Sequence, residues 1–425
     1  MRWEQWVRQV LGRKVLQKGE PLLYFAAGLW RRSLHRTRFV LVTGSLGKTT
    51  TKELLRDILS TRYRVFASWD SQNARGSLAL NVLRVRPWHE VAVIEAGTFR
   101  PGFLARAGAL VRPNLAILTA VARPHWSSFR SLEAIAEEKK SILQFVAPGG
   151  MVVVNGDEPR FGDVGERGAF AVLRVGSDPT ATLVCEAVET WTWPDRLALW
   201  VREGETRFRV QTRLLGKHWV PSVLCALAAG RALGVPLEDA VGALAQTPPY
   251  PGRMQPVRVP GGAVIVRDDL NGCRESFETA LEVFRAARAK RRILVLGDFS
   301  DETSGGPKKR LRKLGRQAAG VGEMLIFVGE HAHHGVDGAL LAGANPSTVR
   351  EFVDLRRAAA FLATELREGD LVLLKGRGAE HLSRVAFAMA GEVRCWVPRC
   401  GFLRNCDRCW RLGLSVEALQ RLEPL

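Results

Sequence analysis

One short stretch of this chain carries the residue types that bind phosphate. Gly44-Ser45-Leu46-Gly47-Lys48-Thr49-Thr50 follows an apolar run and precedes residues whose apolar positions recur at helical spacing. The order strand, Gly-rich turn, helix aims backbone N–H groups at one point, where the helix dipole also favours an anion. Lys48 is placed to neutralise phosphate oxygens, and the hydroxyl of Thr49 or Thr50 to ligate Mg²⁺. The two glycines are closer together in the sequence than in the usual phosphate loop. We favour nucleotide binding, and an ordinary strand-helix turn is the alternative.

A second candidate, Glu95, ends another apolar run. Val91-Ala92-Val93-Ile94-Glu95 places a carboxylate directly after four apolar residues, and a carboxylate is costly inside a protein core. Glu95 is therefore a candidate Mg²⁺ ligand or base, with a solvent-exposed strand-end glutamate as the alternative. His125 follows the next predicted strand, and taken alone it is more typical of a structural histidine.

Four cysteines near the C-terminus carry a separate chemical signal. Cys395, Cys400, Cys406 and Cys409 have the spacing C-x4-C-x5-C-x2-C. Four thiolates at such spacing suit tetrahedral Zn²⁺, so we expect a structural zinc site, with an iron–sulfur cluster, disulfides or free thiols as alternatives. Aromatic residues among the cysteines suit core packing, or a docking surface for a protein partner. Three further cysteines are scattered singly, which is typical of a reduced, cytoplasmic protein.

The length and charge of the chain limit which architectures can position these residues. At 425 residues the chain exceeds what one core supports, so two or three domains are expected. The most apolar segment, residues 21–30, is far shorter than the roughly 20 residues that cross a membrane, and neither a transmembrane segment nor a signal peptide is predicted. The net charge of +19 is spread along the whole chain. It favours a solvated Arg-rich surface over a dedicated anionic partner, and nucleic acid is not expected.

Residues 1–37 are basic and amphipathic, and they predict a helical segment that is too short to be a domain. Its apolar side chains fall near one helical face; they are Trp3, Trp6, Val7, Val10, Leu11, Val15 and Leu16. Packing on the domain that follows is the favoured role. Peripheral contact with a membrane interface, where Trp and Arg are favoured, is the alternative.

The remaining chain predicts two α/β domains. Strand and helix alternate from residue 38 to about 160, which predicts a parallel, helix-covered sheet with its ligand site at the carboxyl ends of the strands. Two short strands near residues 197–210 predict an antiparallel extension. Pro- and Gly-rich residues 248–253 are the best linker, and a second strand-helix series follows them. We therefore predict a helical segment over 1–37, a P-loop parallel-sheet ATPase domain over 38–250, a C-terminal Rossmann-like domain over 251–393 and a separate four-cysteine tail over 394–425.

Nine motifs, in order, resemble those of the Mur ligase family. The resemblance covers residues from about 38 to 390, and its closest branch is MurF, which adds D-alanyl-D-alanine to a muramyl peptide. The motifs are residues 44–50, Val93-Ile94-Glu95-Ala96-Gly97, His125 with residues 131–139, Asn155-Gly156-Asp157, Gly216-Lys217-His218, Pro251-Gly252-Arg253, Asp268 with Asn271, Gly297-Asp298, and Lys375-Gly376.

The resemblance implies an ATP-dependent ligase. In its reaction ATP phosphorylates a substrate carboxylate to an acyl phosphate, an amine attacks, and an amide forms as ADP and phosphate are released. The implied partners are ATP, Mg²⁺ and small-molecule or peptide carboxylate and amine substrates. Thr49 and Glu95 match the family's first-metal ligands and His125 matches a second-metal ligand. Lys139 matches a lysine that the family carries as a carbamate, with Lys140 as the competing candidate.

The resemblance also implies roles for residues in the second half of the chain. Arg253 would reach the nucleotide phosphates, and His218, Asp268 and Asn271 the rest of the nucleotide, so that closure of the C-terminal domain would complete the site. Lys375 matches a substrate-facing lysine. This chain has Arg377 where the family usually has Ser, which weakens the match at Lys375.

Departures from the family pattern leave the substrate open. Members usually carry an N-terminal domain that grips a UDP-sugar, and here only residues 1–37 precede the ATPase domain. Trp219, Ser222 and Leu270 replace residues that the family places near the base. Two other functions are therefore kept beside the ligase: a glutaminase-coupled amidating Mur-like subunit, and a nucleotide-binding scaffold with weakened catalysis.

Overall fold

The chain folds into two compact units. The computed structural model describes residues 19–69, 75–98, 100–123, 126–299, 306–398, 400, 406–407 and 409–425. The first unit comprises Met1–Glu189, Ala198–Thr212 and Trp219–Thr247; the second comprises Thr190–Leu197, Arg213–His218 and Pro248–Leu425.

The first unit is built on a sheet that has nine strands within the described residues. Their order is β2-β3-β1-β4-β5-β6-β7-β8-β9. The central strands run parallel, and β8 and β9 form the antiparallel extension that the sequence predicts. The strands are β1 (Arg38–Thr43), β2 (Val65–Ala67), β3 (Val91–Glu95), β4 (Leu115–Leu118), β5 (Met151–Asn155), β6 (Ala171–Gly176), β7 (Leu183–Thr190), β8 (Ala198–Glu203) and β9 (Thr206–Gln211).

Helices connect these strands and bury their apolar faces in the first unit. In α2, Leu54, Leu55, Ile58 and Leu59 recur at helical spacing, and all four are buried. The helices are α1 (Glu20–Ser33), α2 (Lys48–Ser60), α3 (Arg75–Arg84), α4 (Phe103–Val111), α5 (Trp126–Phe129), α6 (Leu132–Lys140), α7 (Val220–Ala232) and α8 (Leu237–Gln246). Helix α1 packs on α3 and α4, as the favoured interpretation of the N-terminal segment expects, while residues 1–18 lie outside the described part of the chain.

The second unit is built on a sheet with seven strands in the described residues, in the order β14-β13-β12-β15-β11-β10-β16. Strands β11 to β15 pair in parallel, and β10 joins β11 antiparallel. The strands are β10 (Gln255–Arg258), β11 (Val264–Asp268), β12 (Arg291–Leu296), β13 (Met324–Val328), β14 (Val349–Phe352), β15 (Asp370–Lys375) and β16 (Glu423–Pro424). The helices are α9 (Arg274–Ala286), α10 (Pro307–Ala318), α11 (Ala332–Leu341), α12 (Leu355–Glu365), α13 (Ser383–Ala390) and α14 (Val416–Gln420).

The C-terminal residues differ from the separate tail that the sequence predicts. Cys406, Leu412 and Leu422 are buried in the same hydrophobic core as the strands of the second unit. Strand β16 pairs antiparallel with β10 and so extends the sheet edge. Cysteine spacing suggested a module held together by metal, but the apolar residues between and after the cysteines pack on the neighbouring domain instead.

Across the residues that the structure describes, no helix combines the length and the hydrophobicity that a membrane span requires.

Candidate active site

Strand β1 delivers the Gly-rich turn to the carboxyl edge of the first unit's sheet. Gly47 is the residue before α2 and has φ +81°, a conformation that L side chains rarely adopt. A Cβ atom on Gly47 would lie 2.7 Å from Ser222 Oγ, and one on Gly44 would lie 1.9 Å from Thr119 Oγ1. Both positions therefore require glycine, which lets the backbone turn tightly into the start of the helix.

Hydrogen bonds from the next strand end hold this turn in place. Ser45 N donates to Ala120 O at 2.7 Å, and Thr119 Oγ1 donates to Leu46 O at 2.6 Å. The ammonium of Lys48 donates to Gly44 O at 2.8 Å and lies against the carbonyls of its own loop. The loop thus presents a cation and the N-terminus of α2 at one place, an arrangement suited to phosphate.

Glu95 lies beside the first turn of α2. Thr49 Oγ1 donates to both carboxylate oxygens of Glu95, at 3.2 and 3.0 Å. The side chain of Glu95 is only 1% exposed, so the alternative of a solvent-exposed strand-end glutamate is wrong. Because β3 pairs in parallel with β1, the register places Glu95 opposite Val42, two residues before Gly44, where the loop begins. The structure thus brings together Thr49 and Glu95, 46 positions apart in the chain.

Lys52 is a member of this cluster that sequence reasoning missed. Its side chain is fully buried, and its Nζ lies 2.8 Å from Glu53 Oε1 and 4.0 Å from Glu95 Oε2. The same ammonium donates to Ser68 O at 2.7 Å. The sequence feature that could have identified Lys52 is its position one helical turn after Lys48. Lys52 supplies a buried positive charge that offsets the cost of burying Glu95.

The oxygen donors here fit a magnesium ion. Mg²⁺ prefers carboxylate and hydroxyl oxygens and takes few of them from the protein when phosphates supply the rest. Thr49 Oγ1 and Glu95 are two such donors, within 3.2 Å of each other. His125, the predicted second-metal ligand, lies outside the described residues.

Lys139 is a buried lysine in the last turn of α6. Ser131 caps the start of this helix, and its hydroxyl accepts a hydrogen bond from Ala134 N at 3.0 Å. Lys139 is 1% exposed. Burial, and then the charge of Lys48, lower the pKa of Lys139 well below its ordinary value, although Glu138 acts in the opposite direction. The amine is thereby favoured in its neutral, nucleophilic form.

Lys140 has different surroundings from its neighbour. Its ammonium donates to Asp163 Oδ1 at 2.8 Å and lies 2.6 Å from Glu137 Oε1. A carbamate on Lys140 would place an anion against these two carboxylates, so the ion pairs disfavour carbamate formation there. The surroundings therefore distinguish two adjacent lysines that the sequence alone left as competitors.

The second unit gathers several predicted nucleotide-side residues around the end of β11. Lys375 Nζ donates to Asp268 Oδ2 at 2.6 Å and to Asn271 O at 2.7 Å. Lys375 is fully buried, with Phe277's ring centroid 5.2 Å from its Nζ. In this structure, the lysine that the family resemblance assigns to a substrate holds the Asp268 carboxylate. Asp268 lies 107 residues away in the chain, so no local sequence pattern indicated this pair.

The Pro251-Gly252-Arg253 turn lies over the same strand end. Gly252 has φ +73°, and a Cβ there would lie 2.8 Å from Leu270 Cγ. The next residue, Met254, donates its N–H to Asp268 Oδ1 at 3.3 Å. This contact brings the turn that carries Arg253 next to Asp268.

His218 lies in the electrostatic surroundings of Asp268 and Lys375. Burial lowers the pKa of His218 to about 4, with Lys375 lowering it further while Asp268 and Glu282 raise it. The imidazole is therefore neutral at physiological pH. The His218 ring packs against the backbone of Gly216. A Cβ atom on Gly216 would lie 2.2 Å from His218 Cε1, so a larger residue would clash there.

The structure does not support the predicted zinc site. All four tail cysteines are among the described residues, where no group of three or more His, Cys, Asp or Glu side chains is arranged to hold a metal. Cys406 instead lies with its Sγ 3.4 Å from His381 Nδ1. Cys395, Cys400 and Cys409 form no disulfide bond in the structure and are partly exposed. The spacing suggested a ligand set, but the described side chains are not arranged as one.

The sequence matches two family models over most of its length. Residues 42–230 match the Mur ligase middle domain, and residues 252–378 match the Mur ligase, glutamate ligase domain. The chain belongs to the Mur ligase family. The family predicted from the nine motifs is thus confirmed.

Curated ligases are similar to this Mur ligase over most of its length. The UDP-N-acetylmuramoyl-tripeptide--D-alanyl-D-alanine ligase of Mycobacterium tuberculosis is 28% identical over 380 residues, covering 83% of this chain and 73% of that protein. The enzyme with the same name from Escherichia coli is 26% identical over 336 residues, covering 75% of this chain and 71% of that enzyme.

Solved structures of MurF share its fold. MurF from Thermotoga maritima in complex with ADP has a TM-score of 0.73 at 25% identity, covering 86% of this chain and 82% of that one. A crystal structure of MurF from Acinetobacter baumannii has a TM-score of 0.80 at 22% identity, covering 87% and 80%. The predicted α/β fold class is therefore confirmed, and this Mur ligase is an ATP-dependent, amide-forming ligase.

Proposed function

We propose that this Mur ligase activates a peptide-type carboxylate as an acyl phosphate and joins it to the amino group of an amino acid or dipeptide. One observation carries the proposal: buried Thr49 and Glu95 are hydrogen-bonded at the start of the helix that the phosphate loop opens. The name of the MurF relatives makes D-alanyl-D-alanine the first amine to test.

The first step is phosphoryl transfer from ATP to the carboxylate. A carboxylate oxygen attacks the γ-phosphorus, the bond to the bridging oxygen of ADP breaks, and ADP leaves. Lys48 and the N–H groups at the start of α2 spread the negative charge of the phosphates. Thr49 and Glu95 would hold Mg²⁺, which when bound neutralises phosphate oxygens, and Lys52 keeps the Glu95 carboxylate in position.

In the second step the amine attacks the carbonyl carbon of the acyl phosphate. The C–N bond forms, the bond to the phosphate oxygen breaks, phosphate leaves, and the amine nitrogen loses its proton. We place a carbamate on Lys139, because its buried amine is favoured in the neutral form that reacts with CO₂. A carbamate on Lys139 would place an anion near the Lys48 ammonium.

We assign nucleotide contacts to Arg253, Asp268 and Asn271. Neutral His218 adds a hydrogen-bonding imidazole, and Lys375 acts as a positioning residue that fixes Asp268.

The test is the dependence of ADP release on both substrates. The protein is incubated with ATP, Mg²⁺, a muramyl tripeptide or its UDP-linked form as the carboxylate, and D-alanyl-D-alanine, glycine or ammonium as the amine. We expect ADP release only when carboxylate and amine are both present, with an amide product of matching mass. Turnover with ammonium in preference to the dipeptide would instead establish an amidating enzyme. Nucleotide binding without turnover across the panel would establish a scaffold.

A further inference from the structure

Helix α1 has apolar side chains on two opposite faces. One face packs on the core of the first unit through Ala27, which is fully buried, and through Leu23 and Trp30. The other face carries Leu22, Phe25 and Leu29, which are 72%, 64% and 51% exposed. Their spacing of three and four residues aligns them in one row along the helix. This row, the α1 stripe, is a contiguous apolar surface of the kind that marks an interaction site.

Basic side chains surround the C-terminal end of the α1 stripe. Arg31 Nε donates to Val111 O at 2.6 Å, and its guanidinium donates to Arg112 O at 3.0 Å, which places exposed Arg112 beside the helix. Burial and the charge of Arg112 lower the pKa of Arg31 to about 10. Arg32 and Arg36 are exposed.

An exposed tryptophan lies on the segment to which α1 is hydrogen-bonded. Trp30 Nε1 donates to Val85 O at 2.8 Å and so ties α1 to the turn after α3. That turn carries Arg86, which is exposed, and Trp88, which is 57% exposed. Tryptophan and arginine are the side chains that membrane interfaces favour, since each combines an apolar body with a polar end.

We propose that this face docks on the surface of a bilayer that contains anionic lipid. The α1 stripe enters the boundary between headgroups and acyl chains, and the surrounding arginines lie among the lipid phosphates. Over residues 20–36 the one acidic residue is Glu20, at the start of α1, against Arg31, Arg32 and Arg36, so the net positive charge of this segment is complementary to an anionic surface.

A second copy of the chain is a poorer occupant of the same face. A two-fold dimer through the α1 stripe would bring the same arginines of both copies together, without an acidic side chain from residues 21–36 to compensate. Like charges at an interface oppose association, whereas lipid phosphates neutralise them.

Vesicle flotation of the full chain tests the proposal. One vesicle preparation contains phosphatidylcholine alone, and the other contains phosphatidylcholine mixed with phosphatidylglycerol. The stripe variant is Leu22→Asp with Phe25→Asp. The matched control is Leu341→Asp with Val353→Asp, which has the same net charge and replaces side chains that are 65% and 75% exposed in the second unit. Because all four residues are exposed, circular dichroism and thermal midpoints should match those of the unchanged protein.

We expect the unchanged protein and the control to float with the anionic vesicles, and high salt to weaken their binding. The stripe variant should lose about ten-fold or more in partitioning, because two apolar anchors are replaced by anions. Absence of binding to anionic vesicles by the unchanged protein would overturn the proposal. Equal loss in the stripe variant and the control would overturn it too. The face would be assigned to a second copy of the chain if light scattering showed a dimer, the stripe variant were monomeric, and the unchanged protein did not bind vesicles.

Discussion

At the scale of single residues, surroundings separate side chains that look alike in the sequence. Lys139 and Lys140 are adjacent, yet burial depresses the pKa of one while two carboxylates pair with the other. Lys375 fixes a carboxylate of its own unit, although its motif predicts contact with a substrate. Residue type and order predicted where chemistry is located, because strand ends and glycines can be recognised locally. Individual roles depend on partners far away in the chain.

Replacing Glu95 by Gln should abolish most turnover. Gln keeps a hydrogen bond to Thr49 but removes the anionic oxygen that a magnesium ion needs, so we expect ATP-dependent turnover to fall by on the order of a hundred-fold or more. ADP release over a range of Mg²⁺ concentrations measures the effect. Glu90→Gln is the control, because Glu90 lies just before the same strand and its side chain is 47% exposed. If the turnover of Glu95→Gln stayed within a few-fold of that of the unchanged enzyme, Glu95 would not be a metal ligand of the active site.

Replacing Lys139 by Ala should abolish turnover in a way that short carboxylic acids restore. If the lysine acts as a carbamate, added acetate or propionate can supply the missing anion. The control is Lys140→Ala, which breaks ion pairs with Glu137 and Asp163 and should cost about 1 kcal/mol of stability while turnover persists. ADP release with and without the added acid is the measurement. Rescue of Lys140→Ala instead of Lys139→Ala would reverse the assignment.

At the scale of elements, a buried ion pair fixes the C-terminal residues on the second unit. Arg267 on β11 donates to Asp407 through two nitrogens, at 2.6 and 2.8 Å, and its side chain is 3% exposed. Cysteine spacing gave no indication of this contact, because an isolated Asp between two cysteines has no periodic signal. The strands and long helices, by contrast, were predictable from apolar runs and periodicity.

Replacing Asp407 by Asn should release the C-terminal residues. Removing one partner leaves the Arg267 charge buried with weaker compensation, so we expect the free energy of unfolding to fall by about 3 kcal/mol. Denaturant unfolding and hydrogen exchange of strand β16 measure the loss. The matched control is Asp195→Asn. Asp195 pairs with Arg288 in the same unit, but the two side chains are 48% and 74% exposed. Losing this pair should therefore lower the free energy of unfolding by less than about 1 kcal/mol. Equal effects in both variants would contradict a buried anchor.

A carboxyl group at the strand ends of the second unit should make stability depend on pH. Glu380 accepts hydrogen bonds from Asp298 N at 2.8 Å and Arg377 N at 3.2 Å. Burial raises the pKa of Glu380 to about 7 from its ordinary value of 4.5. The folded chain therefore holds a proton that the unfolded chain releases. This contribution to stability is complete below pH 4.5 and is lost as the pH rises to about 7.

Replacing Glu380 by Gln should remove that dependence. Gln cannot ionise, so the stability of the variant relative to the unchanged protein should improve by on the order of 2 kcal/mol as the pH rises from about 5 to about 8. Denaturant unfolding of both proteins at the two pH values is the measurement. Parallel pH dependence in the two proteins would show that Glu380 does not titrate in this range.

At the scale of the whole molecule, the sequence predicts a two-part ligase but leaves the substrate open. Motif order identified the family because its motifs lie at strand ends, where backbone geometry restricts the residue types. Domain boundaries were less predictable: residues 190–197 and 213–218 belong to the second unit although they lie within the first part of the chain. Which unit such a segment joins depends on tertiary packing rather than on its local composition. The α1 stripe likewise became visible only when exposure separated the two apolar faces of one helix.

The central claim is that amide formation proceeds through an acyl phosphate. The most direct test labels the carboxylate of the acyl substrate with ¹⁸O and analyses the phosphate released with ATP and D-alanyl-D-alanine. Attack by a carboxylate oxygen on the γ-phosphorus transfers that oxygen, so we predict one ¹⁸O in each phosphate for each amide formed. Unlabelled phosphate, or cleavage of ATP to AMP, would contradict the account.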